Sequence, residues 1–131
     1  MEVNLSRSCF VCGPENGSGL QAVFTTDREL HRSFCRLTID GRFQGWQDVV
    51  HGGVIAALLD EACIYAGLGL ANQLVTAELS VRYKKPLQTG QEIIVIGEVV
   101  EQRRKLLRVK ARLELDGEVY AEAESRIFLL G

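Results

Sequence analysis

The sequence predicts an α+β domain, one buried helix followed by antiparallel strands. Three observations point to it. Residues Val54 to Leu68 are apolar on nearly every helical face, interrupted only by Asp60 and Glu61. Residues 75–83 and 107–115 then alternate with a period of two. Asp116-Gly117 stands between the last two strand patterns, and this dipeptide is the strongest short-range hairpin signal. A helix apolar all round is buried on most of its faces, and strands that follow it in succession give the α+β class.

Residues 13–19, GPENGSG, read as a loop dense in turn formers. About Leu20 to Thr26 and His31 to Ile39 read as two strands joined by a charged turn. The helix begins near His51-Gly52-Gly53, and Gly67 and Gly69 are its stop signals. In the next strand Val75, Ala77, Leu79, Val81 and Tyr83 share one face, which is expected to be buried. Thr76, Glu78, Ser80, Arg82 and Lys84 share the other, and Pro86 and Gly90 end the strand. Ile93 to Val100 is a strand with both faces largely apolar. Leu107, Val109, Ala111, Leu113 and Leu115 alternate with charged residues, and Val119, Ala121, Ala123 and Ile127 form the returning strand. One sheet covers one side of the helix. Its other apolar faces need cover, and a second copy of the chain is the simplest source, so a homo-oligomer (a dimer or a dimer of dimers) is expected.

The chain has 131 residues, 47% hydrophobic and 24% charged, which suits one domain over 1–131 with a core that needs no staple. Fifteen Lys and Arg against 17 Asp and Glu give a net charge of −2, so nucleic acid is not an expected partner. The N-terminus MEVNLSRSCF has no apolar run of a secretory signal. His51, Asp60 and Glu61 interrupt the apolar stretch Val49 to Ala71, which argues against a membrane span, and a cytoplasmic location is expected. There Cys9, Cys12, Cys35 and Cys63 stay unpaired. Cys9 and Cys12 form a lone Cys-x-x-Cys with no second pair, so neither a metal nor another cofactor is expected.

The chemistry centres on Asp60. Carboxylates in apolar surroundings are rare without a partner or a purpose. Glu61, its neighbour, reads as a side chain that points to solvent. His51-Gly52-Gly53 opens the helix, where free N–H groups and the positive dipole end lie. Glycine lets a substrate carbonyl approach the backbone there, which makes an oxyanion site. His51 is either a base or a residue whose ring orders the helix start. Gly52 and Asp60 are eight positions apart, a rise of about 12 Å in a helix. No single carbonyl reaches both, so if they act together they come from different subunits. Cys63, one turn after Asp60, reads as packing.

With these residues in view the chain resembles hot-dog-fold thioesterases, the group typified by the phenylacetic-acid-pathway thioesterase and related acyl-CoA hydrolases. The resemblance rests on HGGVIAALLDEA, on CFVCGPENGSGL and on TAELSVRYKKPLQTGQ, and runs from Cys9 to about Phe128. It implies an antiparallel sheet wrapped round one long helix, with paired protomers that form sites at their interface. It places the catalytic carboxylate on Asp60, the oxyanion N–H on Gly52 of the other protomer, and a water-holding hydroxyl on Thr76. Relatives carry an Asn or Gln shortly before the His-Gly-Gly, and Gln44 or Gln47 stands nearest here. Gly53 and Trp46 are expected to line the substrate pocket. Arg82, in one basic cluster, and Arg103 and Arg104, in another, are candidates for the phosphates of coenzyme A. The expected activity is hydrolysis of acyl-CoA. The alternatives are a non-catalytic acyl-CoA-binding protein and a dehydratase that pairs His51 with Asp60.

Overall fold

The periodicities translate into β1 (Phe24–Asp27), β2 (Arg32–Thr38), a short 3-10 turn (Gly41–Phe43), α1 (Gly52–Gly67), β3 (Leu74–Tyr83), β4 (Glu92–Arg103), β5 (Leu106–Leu115) and β6 (Glu118–Leu129). The computed structural model describes residues 1–130. The strands form one antiparallel sheet in the order β1-β2-β4-β5-β6-β3. Helix α1 touches all six, so the sheet curves around it. Ile55, Leu58, Leu59, Ala62, Cys63 and Ala66 of the helix meet Val95, Leu107, Val109, Leu113 and Ile127 of the strands in the core. Among the described residues no helix is long and apolar enough to cross a membrane.

Helix and sheet approach each other tightly at Gly97. A Cβ there would lie 2.3 Å from the Ala62 carbonyl oxygen. Ser33 stands opposite Gly97 in the ladder. Its hydroxyl donates to Ala62 O at 2.6 Å and accepts the Gly97 N–H at 3.1 Å, so a buried polar pair is satisfied where the backbones meet.

Three expectations change. The first strand starts at Phe24, not near Leu20. The N–H groups of Leu20 and Ala22 donate to Phe10 O and Val11 O at 2.8 Å, so this segment runs back along the Cys9–Cys12 turn and not along the sheet. Val11, Leu20 and Ala22 are buried in the same core as α1, so the chain's own N-terminal segment covers part of the helix assigned above to a second copy. Finally, β3 does not alternate cleanly. Thr76 pairs with Ile127 and Glu78 with Arg126, which leaves Ala77 as a bulge. Val75 and Ala77 are exposed, while Thr76, Leu79 and Val81 are half-buried. One stripe of α1 stays incompletely covered: Ala56, Ala57, Asp60 and Ile64 are half-buried and Gly53 is exposed.

Candidate functional site

Asp60 lies in the third turn of α1, within that stripe. Its Oδ1 accepts the Thr76 hydroxyl at 2.6 Å. The β3 bulge aims Thr76 there, because one extra residue re-registers the strand and sends its polar side chain inward. The pair therefore depends on both elements. Cys63 follows one turn later, fully buried. Burial, and then the charge of Asp60, push its thiol up to about 12, which disfavours the thiolate. Burial likewise lifts Cys35 to about 11.

The start of α1 is built by His51. Its Nδ1 accepts the Gly53 N–H at 2.8 Å, and its carbonyl accepts the N–H groups of Val54 and Ile55 at 3.0 and 3.2 Å. The side chain is thus the helix cap, with its Nδ1 lone pair occupied. In the first turn this leaves the Gly52 N–H as the one without an acceptor among the described residues. The Gly52 carbonyl accepts the Tyr83 hydroxyl at 2.7 Å, which fixes the peptide against the end of β3. An open cleft of about 460 Å³ lies here, lined by Gly45, Trp46, Val50, His51 and Gly52. Trp46 is 86% exposed on its wall. Gln47 is exposed, and the Gln44 side-chain oxygen accepts the Asp48 N–H at 2.8 Å, which ties up Gln44 inside the loop.

One chain therefore holds two separate halves. The free Gly52 N–H with its cleft is at one end of α1, and the Asp60–Thr76 pair sits about 12 Å along the helix axis. The basic residues divide in the same way. Arg103 ends β4 and Arg104 follows in the turn, and Arg103 pairs with Leu106, one residue from Leu107. Leu107 and Thr76 both face Ile127, so this turn lies at the Asp60 end of the sheet. Arg82 is six residues beyond Thr76, about 20 Å along an extended strand. It belongs to the outer surface with Glu98, Lys110 and Arg112.

Tyr83 was legible in the sequence only as an apolar-face residue; its hydroxyl contact with Gly52 carries no local signal. Glu61 does not point freely to solvent. It is half-buried, and its Oε2 accepts the Cys9 thiol at 3.3 Å.

The sequence pattern of the Thioesterase superfamily matches residues 47–122, more than half of the chain. The acyl-coenzyme A thioesterase THEM4 of Bos taurus is 26% identical over 125 residues, 93% of this chain and 52% of that protein. The 3-hydroxyacyl-[acyl-carrier-protein] dehydratase FabZ of Sodalis glossinidius is 29% identical over 116 residues, 83% of this chain and 72% of that one. The crystal structure of a thioesterase superfamily protein superposes with a TM-score of 0.85 at 26% identity, over 95% of this chain and 61% of that one. The chain spans about half the length of the THEM4 proteins it matches.

Proposed function

Since the chain belongs to the thioesterase superfamily, we propose that it hydrolyses acyl-CoA to a free acid and coenzyme A at a site shared by two copies. The observation that carries this reading is a half-buried carboxylate, Asp60, held by Thr76 in an otherwise apolar helix stripe. The free Gly52 N–H of one copy receives the thioester carbonyl oxygen, and Asp60 of the partner subunit stands at the carbonyl carbon.

Two routes use these groups. In the first, Asp60 takes a proton from water while the oxygen adds to the carbonyl carbon. The tetrahedral oxyanion accepts the Gly52 N–H, then collapses with loss of the coenzyme A thiolate, which takes up a proton. In the second, Asp60 attacks directly, the thiolate leaves, and water cleaves the resulting anhydride. Thr76 holds the carboxylate in either route. Trp46, Gln47 and Gly53 would wall the acyl or pantetheine portion, and Arg103, Arg104 and Arg82 would meet phosphates at the rim.

Release of free thiol from a panel of acyl-CoAs tests the proposal. Asp60→Asn should lower kcat by about 10²–10⁴-fold with the fold intact and substrate still bound. Near-normal turnover in that variant removes Asp60 from the chemistry. Binding without cleavage by the parent chain would make it an acyl-CoA-binding module. The FabZ similarity favours a second reading as a dehydratase. Conversion of a 3-hydroxyacyl thioester to its enoyl product, without thiol release, would establish that reading instead.

A further inference from the structure

The turn Cys9–Gly13 is shaped around one sulfur. The backbone N–H groups of Val11 and Cys12 both point at Cys9 Sγ, at 3.4 and 3.5 Å. Gly13 closes the turn with its N–H on Cys9 O at 2.8 Å. A Cβ at Gly13 would lie 2.4 Å from Cys9 N and 2.6 Å from Arg7 O, so only glycine fits. Phe10 and Val11 are braced from behind by the N–H groups of Leu20 and Ala22. Two N–H groups converging on one sulfur fix its position, and a cysteine sulfur held in place is a ready zinc ligand.

A third donor comes from the helix. Glu61 Oε2 lies 3.3 Å from Cys9 Sγ, and one donor atom each from Cys9, Cys12 and Glu61 fall within 4.8 Å of one another. Around a tetrahedral zinc ion, Zn–S of about 2.3 Å and Zn–O of about 2.1 Å put neighbouring donors about 3.6 Å apart. All three donors are half-buried, so the side chains are held by packing while water still reaches them.

We propose that Cys9, Cys12 and Glu61 bind one zinc-like divalent cation, with water as the fourth ligand. Two thiolates and one carboxylate select zinc over magnesium or calcium, which prefer oxygen alone. Binding releases two thiol protons to solvent. The ion ties the N-terminal segment to the flank of α1 next to Asp60. Its role is structural and independent of the hydrolytic reading. It also replaces the expectation of no metal, which counted Cys9 and Cys12 without Glu61.

The full chain, purified in reductant and stripped with a chelator, is titrated with Co²⁺ and then Zn²⁺. One equivalent of Co²⁺ should give a thiolate-to-cobalt charge-transfer band that equimolar Zn²⁺ bleaches. Zinc should also raise the Tm of the stripped protein. Glu61→Gln should weaken binding by at least the 10–100-fold typical of losing an outer partner. Cys12→Ser should remove most of the band, with circular dichroism confirming that each variant is folded. Absence of the band in the parent chain overturns the proposal. So does a band that persists unchanged in Glu61→Gln, or a Cys9–Cys12 disulfide that forms equally fast with zinc present.

Discussion

Asp60 is held by a single side-chain hydrogen bond, from Thr76 at 2.6 Å. A hydrogen bond to a charged group contributes about 1.5–3 kcal/mol. If that carboxylate does the chemistry, Thr76→Val should reduce kcat by about 10–100-fold with KM little changed, while Thr76→Ser keeps most of the activity. Steady-state kinetics of the two variants decide it, and equal kcat in both would remove Thr76 from the site. Ser125 poses the opposite case. It is buried on β6 and its hydroxyl has no partner among the described residues. Ser125→Ala should therefore raise stability by about 1 kcal/mol, read from the urea midpoint, and a loss of stability would reveal a hidden partner. Residues of these kinds differ in how legible they are. Asp60 and Gly52 stand out because a charge in an apolar helix and paired glycines at its start are local features. The Cys9–Glu61 contact joins residues 52 positions apart and leaves no trace in either neighbourhood.

At the scale of elements, α1 and the β5–β6 hairpin were readable because their periodicity and turn chemistry agree. Asp116 and Gly117 both take positive φ, 51° and 79°, the conformation a two-residue hairpin turn demands. Strand β3 was misread in its phase, because a bulge obeys the pairing of β6 and not the alternation of β3 itself. The segment Leu20–Val23 was misread as strand because its hydrogen bonds run to Phe10 and Val11, a partner chosen by tertiary packing. The contact between β4 and α1 gives a sharp stability test. Gly97→Ala places a methyl 2.3 Å from a backbone carbonyl that cannot swing away. Overpacking of this kind costs about 1–3 kcal/mol or more. The melting temperature should fall accordingly, and an unchanged Tm would mean that helix and sheet separate freely there.

At the scale of the whole molecule, the two halves of the proposed site lie too far apart to serve one carbonyl within a chain. Strand β3 is the sheet's edge and carries exposed Val75 and Tyr83, the latter 50% exposed. An unpaired edge of this kind is a template for another strand. A two-fold axis between Leu79 and Ser80 would set Thr76 of one copy opposite the partner's Tyr83, and so the Asp60 half against the partner's Gly52 half. Gly52→Pro tests this with little disturbance. Proline lacks the N–H in question and is favoured at the first helical position. The preceding His51, at φ −59° and ψ 133°, already has the extended conformation that proline requires before it. Asp60→Asn and Gly52→Pro should each be nearly inactive alone. Co-expressed with different tags and isolated as a mixed dimer, they rebuild one complete site of two. Such a dimer should recover about half of the parental thiol release. A mixed dimer as inactive as its parents would place both groups in one chain's site, and a folded chain that sediments only as a monomer would end the shared-site reading.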